Sequence, residues 1–268
     1  MPVCSVNFCS GPSDCNRQHL ICPCSLTRLT SLTLEGPASG NVQVTFLHSL
    51  ADLAVCVLDA SWHDLRRFEY HLKDLRHGYQ AMVGLNALTS LSLSASFPLG
   101  PDPKLNALAL NTNLQCLEYY SLHLVSSYFI TTVADLNRLT HLTLSGSQFP
   151  ITLLGLSSLR WMKELVLFSR EVSHTNMGFV CSLRYLALLK LQKIAFRDTV
   201  FSQSEKLDKL TSLTLSKCPH VTINIFSFIA RMVGLREVVI KGCSNVNLSE
   251  HVTWLDDLRR LHTRPFSL

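Results

Sequence analysis

Apolar residues in this chain come in short bursts, with polar residues alternating inside each burst. The phrase LTSLTL stands at Leu29–Leu34 and again at Leu210–Leu215, with near copies LTSLSL at Leu88–Leu93 and LTHLTL at Leu139–Leu144. Self-similarity of this kind marks a repeat architecture. The second leucine of each phrase serves as an anchor. The anchors are Leu32, Cys56, Leu91, Leu117, Leu142, Leu165, Leu189, Leu213, Val238 and Leu261, at successive spacings of 24, 35, 26, 25, 23, 24, 24, 25 and 23 residues.

The pattern inside each unit is equally regular. Three residues before the anchor stand Leu29, Leu53, Leu88, Leu114, Leu139, Met162, Leu186, Leu210, Leu235 and Leu258. Two residues after it stand Leu34, Leu58, Leu93, Tyr119, Leu144, Leu167, Leu191, Leu215, Ile240 and Thr263. Only Thr263 is polar, which suits a terminal unit that meets solvent on one side. Side chains alternate along a strand, so the anchor and the residue two after it share one face. One unit cannot bury them alone. Stacked units can, and each fully buried leucine then contributes about 1.5–3 kcal/mol. The pattern predicts an α/β repeat: a parallel sheet lining a concave face, with helical or irregular segments on the convex side.

This pattern resembles the LxxLxLxx(N/C)xL signature of the leucine-rich-repeat superfamily, over roughly residues 26–264. The resemblance implies a solenoid, a curved horseshoe or arc, of about ten repeats over 26–268, preceded by a cysteine-rich tail or cap at 1–25. The slot five after the anchor departs from the signature. It holds Pro37, Ser61, Ser96, Leu122, Ser147, Arg170, Ile194, Cys218, Cys243 and Phe266, with no asparagine ladder. Less uniform convex turns are expected. The units around Cys218 and Cys243 are similar to the cysteine-containing repeats of F-box substrate receptors and plant intracellular immune receptors. That likeness implies recognition of a protein or small ligand, with ubiquitin-ligase components among the partners considered. About 25 residues precede the first unit, too few for an F-box, and no GxxxxGK[ST] loop is present.

Composition narrows the picture further. At 47% hydrophobic and 16% charged, the chain is too apolar for disorder. It also lacks the roughly 20-residue apolar run of a membrane span. The net charge of +5 is spread along the chain, so no nucleic-acid partner is expected. The N-terminus has no basic start followed by an apolar core. The expectation is therefore a cytoplasmic, or alternatively nuclear, protein with reduced thiols. Five of the ten cysteines lie early, at Cys4, Cys9, Cys15, Cys22 and Cys24. Their spacings do not match the paired ligands of structural zinc sites, and no metal or other cofactor is expected.

The long 35-residue interval contains an apolar stripe at helical spacing within 61–85, from Trp62 to Met82, with Arg66, Arg67, Lys73 and Arg76 off the stripe. It reads as an inserted outer helix with a solvated basic side, and secondarily as a basic docking helix. No HExxH, GxSxG or phosphate loop occurs, so an interaction scaffold is expected, not an enzyme. Its concave face should carry the residues flanking each anchor. Tyr120, His141 and Phe168 are the candidate partner-binding aromatics, on neighbouring strands, with Glu118, Glu164, Lys190 and Lys241 as their charged surround.

Overall fold

The protein is described from a computed structural model, over residues 3–7, 31–35, 55–59, 89–95 and 112–246. The chain divides into two compact units, Met1–Leu139 and Thr140–Leu268.

In the first unit, five strands run in parallel: β1 (Val3–Asn7), β2 (Ser31–Glu35), β3 (Val55–Asp59), β4 (Ser90–Ala95) and β5 (Cys116–Ser121). Anchor faces anchor at every step: Leu32 with Cys56, Cys56 with Leu91, and Leu91 with Leu117. β1 was not part of the repeat pattern. It pairs with β2 so that Cys4 stands opposite Leu32, in the place of an anchor. The remainder of the 1–25 segment, with its other four cysteines, lies outside the described residues. So do the 61–85 insertion and the unit around Leu261.

The second unit repeats the arrangement with β6 (His141–Gly146), β7 (Glu164–His174), β8 (Leu188–Ala195), β9 (Ser212–Ser216) and β10 (Glu237–Lys241). Leu142, Leu165, Leu189, Leu213 and Val238 align across all five strands. The backbone locks this register with one recurring device. The carbonyl two before each of the first four anchors here accepts two N–H groups from the next repeat. Thr140 O receives Lys163 N and Glu164 N, and Thr211 O receives Arg236 N and Glu237 N, at 2.7–3.0 Å.

The core is deeper than the three apolar slots of the sequence. Six, nine and twelve residues before the anchor lie further rows of buried side chains. They are Leu159, Leu183, Leu207 and Met232; then Leu156, Val180, Ser204 and Ile229; then Leu153, Met177, Phe201 and Phe226. Each row runs through the stack because equivalent residues recur one strand spacing apart, about 4.8 Å. Ser204 is the polar exception, and its hydroxyl donates to Phe228 O at 3.0 Å. A buried hydroxyl needs such a partner to avoid a desolvation cost.

The outer segments that carry these rows are short. They are 3-10 turns at Leu154–Ser158, Val180–Ser182, Asp198–Phe201 and Ser204–Lys206, and a helix at Ile225–Ile229. In the first unit the helix Ser127–Ala134 serves instead. Ser126 caps it by accepting from Phe129 N at 3.1 Å, and Phe129, Ile130 and Val133 face inward.

The turns that follow the strands vary, as the missing asparagine ladder implies. Leu122 and Arg170 are exposed in the slot five after the anchor, whereas Ile194, Cys218 and Cys243 are buried. Backbone conformation accounts for the switch. The preceding residues, Lys193, Lys217 and Gly242, all adopt positive φ, at 54°, 53° and 63°. That left-handed step turns the next side chain inward. Cys218 Sγ then lies 3.6 Å from Leu191 O and Cys243 Sγ 3.7 Å from Leu215 O, the same bond one unit apart.

Candidate functional site

The solvent-facing side of each sheet carries the residues between the buried slots. In the second unit they form three rows. The first is His141, Glu164, Leu188, Ser212 and Glu237. The second is Thr143, Val166, Lys190, Thr214 and Val239, and the third is Ser145, Phe168, Gln192, Ser216 and Lys241. Most are half-buried, because each leans on its neighbours across the strands.

The first row is internally paired. His141 Nε2 lies 3.6 Å from Glu164 Oε1, and His141 Nδ1 lies 2.8 Å from Thr140 Oγ1. Further along, Ser212 Oγ donates to Glu237 Oε2 at 2.8 Å. Lys190 sits half-buried in the middle row, and Lys241 is exposed at the end of the third. Phe168 is half-buried between Ser145 and Gln192.

In the first unit, Glu118 and Tyr120 are brought together on β5. Glu118 Oε2 accepts from Tyr120 Oη at 3.4 Å and from Ser92 Oγ at 3.3 Å. Tyr120 is 38% exposed. Partial burial, then the Glu118 charge and hydrogen bond, raise the ionisation of its phenol above the ordinary value.

His141 does not join Phe168 in an aromatic cluster. Register places His141 beside Glu164, at the start of the strands, while Phe168 lies four residues further on. At about 3.3 Å per residue that is about 13 Å along the strand direction. Anchor spacing alone put them on neighbouring strands and left their separation along those strands undrawn.

Two features escaped the sequence. β7 bulges: Phe168 pairs with Gln192 and Ser173 with Ile194, so Ser169–Val172 loops out opposite Lys193 alone. Arg170, Glu171 and Val172 are exposed there, Lys193 Nζ donates to Arg170 O, and Gln148 Nε2 donates to Glu171 at 2.9 Å. No glycine or proline flagged this excursion. The second is an exposed aromatic pair. Trp161 and Tyr185 stack with ring centroids 5.1 Å apart and planes at 27°. The matching phrases SLRW and SLRY, each ending four residues before an anchor, were the signal available for it.

Among the described residues, no group of three His, Cys, Asp or Glu is placed to hold a metal ion. Nor is any helix among them long and apolar enough to cross a membrane. Buried Cys218 has its ionisation pushed well up, first by the hydrogen bond it shares with the Cys243 thiol and then by burial. Cys181 is raised by burial as well. Thiols held neutral in this way pack as small apolar groups and make poor nucleophiles.

No protein-family model and no curated protein matches this sequence. Solved structures do. A leucine-rich-repeat protein of Leptospira interrogans is similar over 92% of this chain and 63% of that one, with a TM-score of 0.51 and 14% identity. With the in-register parallel strands and the recurring buried rows, that likeness identifies the fold. It is the leucine-rich-repeat fold. Internalin C2 of Listeria monocytogenes is similar over 70% of this chain and 80% of that one, with a TM-score of 0.45 and 20% identity. A plant peptide hormone receptor, RGFR1 in complex with RGF2, is similar over 82% of this chain and 29% of that one, with a TM-score of 0.45 and 12% identity.

Proposed function

We propose that this chain is a protein-interaction module that docks a macromolecular partner on the solvent-facing side of its parallel sheet. The observation that carries the reading is the composition of those rows in the second unit. A half-exposed aromatic, Phe168, stands among small polar side chains, with Glu164, Lys190 and Lys241 on the same face and His141 at its start. In the first unit, Tyr120 and Glu118 supply the same chemistry. Exposed aromatics ringed by polar groups are the residues on which binding energy concentrates. Stacked strands hold them on a rigid base, so little conformational entropy is lost on docking.

The test is affinity capture with the intact chain, identification of the captured protein, and measurement of its affinity. Tyr120→Ala with Phe168→Ala is expected to weaken it by about 2 kcal/mol, roughly thirtyfold, without loss of fold. Should that pair have no effect while Arg66→Ala with Arg67→Ala abolishes binding, the sheet face is not the site and the 61–85 segment is.

A second reading makes the chain the recognition region of a ubiquitin-ligase-type or plant resistance-type protein. What favours it is the pair Cys218 and Cys243, buried in the same slot of successive units. A transcript that joins this sequence to an F-box or a nucleotide-binding domain decides for it. Free buried thiols at Cys181, Cys218 and Cys243 suit a reducing compartment under either reading.

A further inference from the structure

The segments that lead into β7, β8, β9 and β10 form an edge of the second unit, separate from the sheet face. Four residues before the anchors of β7 and β8 stand Trp161 and Tyr185, 55% and 47% exposed. Exposed apolar side chains that touch one another, unlike scattered ones, mark interaction sites. They are also fixed in place. Their mutual stacking holds both rings, and the strand-entry hydrogen bonds from Lys163 N to Thr140 O and from Ala187 N to Lys163 O, each 2.7 Å, hold the backbone beneath them.

The charge around the pair is one-sided. Arg160 and Arg184 directly precede the two rings, Lys163 follows Trp161, and Arg236 occupies the position equivalent to Lys163 on the entry to β10. All four are exposed, and none pairs with a described carboxylate. The acids in and just after these segments are engaged elsewhere: Asp208 lies 3.3 Å from Lys209, Glu205 4.0 Å from Arg231 and Glu164 3.6 Å from His141, and Glu237 accepts from Ser212 at 2.8 Å.

We propose that this edge binds an acidic peptide segment bearing an apolar or aromatic side chain. The side chain packs against the Trp161–Tyr185 pair, and the flanking carboxylates meet the guanidinium forks of Arg160 and Arg184 and the ammonium of Lys163. Arginine next to an aromatic suits carboxylates for two reasons. Its planar fork pairs bidentately with them, and Trp, Tyr and Arg are the residue types enriched at binding hot spots. A nucleic acid fits less well. Four cations unpaired among the described residues are fewer than the six to ten or so phosphate contacts on which strong backbone binding rests. The stacked rings have also spent one face each on one another, leaving less for bases.

The experiment uses the full chain and fluorescence anisotropy. The probe is a labelled nonapeptide of eight glutamates around a central phenylalanine. The controls are the same peptide with glutamines for glutamates and a single-stranded oligothymidylate of equal length. Saturable, salt-sensitive binding of the acidic peptide is expected, at least about tenfold tighter than either control. Trp161→Ala with Tyr185→Ala is expected to weaken it at least about tenfold, and Arg160→Glu with Arg184→Glu at least as much. Phe168→Ala with Lys190→Glu, on the sheet face, is expected to leave it unchanged, which separates this edge from the site proposed above. The charge-reversal pair is exposed at both positions, so it reads out even if loss of the rings harms folding. Absence of saturable binding, equal binding of the glutamine peptide, tighter binding of the oligonucleotide, or parental affinity in both edge variants overturns the proposal.

Discussion

Single residues set how far each unit departs from the ideal. Tyr119 fills a slot that holds Leu or Ile in the second unit, packs at 4.4 Å against Phe129, and is 1% exposed. Its hydroxyl is buried and makes no hydrogen bond of good geometry among the described residues, with the Ser121 hydroxyl nearby. Burial pushes its ionisation from 10.0 up to about 12, and the nearby Ser121 hydroxyl only partly opposes the shift. The sign of the pH effect follows. Below pH 10 the phenol is neutral in folded and unfolded chains alike, so it adds no pH dependence. Between pH 10 and about 12 the unfolded chain releases the proton that the folded chain keeps, so stability falls as pH rises through that window. Tyr119→Phe is therefore expected to cost nothing near neutrality, or to stabilise by about 1 kcal/mol. It should also remove about 1.4 kcal/mol of the loss that has accrued by about pH 11, midway through that window. Urea denaturation of parent and variant near neutrality and again near pH 11 measures the difference. Equal alkaline losses in the two proteins count against a sealed hydroxyl.

Among the elements, the entry segment of β10 lies close against the one before it. Gly234 lies four residues before the anchor of β10, the place taken by Trp161 and Tyr185 in earlier units. A Cβ there lies 2.3 Å from Asp208 O and 3.2 Å from Leu210 O. Both atoms are backbone, so neither can swing aside, and the two entry segments must separate. Gly234→Ala is expected to destabilise by about 1–3 kcal/mol, as overpacked sites do. The check is a fall in the thermal midpoint that the exposed substitution Lys209→Ala, on the preceding entry segment, does not reproduce. The β7 bulge shows the opposite tolerance. Four residues are accommodated there opposite one because three of them, Arg170, Glu171 and Val172, project into solvent, while buried Ser169 donates its hydroxyl to Ser147 O at 2.9 Å.

For the molecule as a whole, each unit is a stack in which a strand touches only its neighbours. Stability in such arrays is a sum of unit and nearest-neighbour contributions, and damage spreads outward from where it is made. Leu189 sits at the middle of the second unit, fully buried, with β7 on one side and β9 on the other. Leu189→Asp places an unpaired charge there, at a cost of several kcal/mol. Native-state hydrogen exchange is expected to show protection lost in β7, β8 and β9, with β1 to β3 less affected. Uniform loss across all strands would mean that the chain unfolds as one block.

Spacing along the chain dictates the repeat and its register. Every described anchor faces an anchor, because a slip of one residue would turn a row of leucines into water. It also determined that residues such as Glu118, Tyr120, Glu164 and Lys190 lie on the solvent side, since alternation leaves them no other face. Other features depend on how neighbouring strands and turns meet. The rows six to twelve residues before the anchor sit in segments with no fixed period, and only stacking aligns them. The inward turn of Cys218 and Cys243 depends on left-handed backbone at Lys217 and Gly242, and lysine does not announce that conformation. The separation of His141 from Phe168, the β7 bulge, and the meeting of Trp161 with Tyr185 arise from where each strand begins and ends against the next. A one-dimensional spacing does not contain that relation between neighbours.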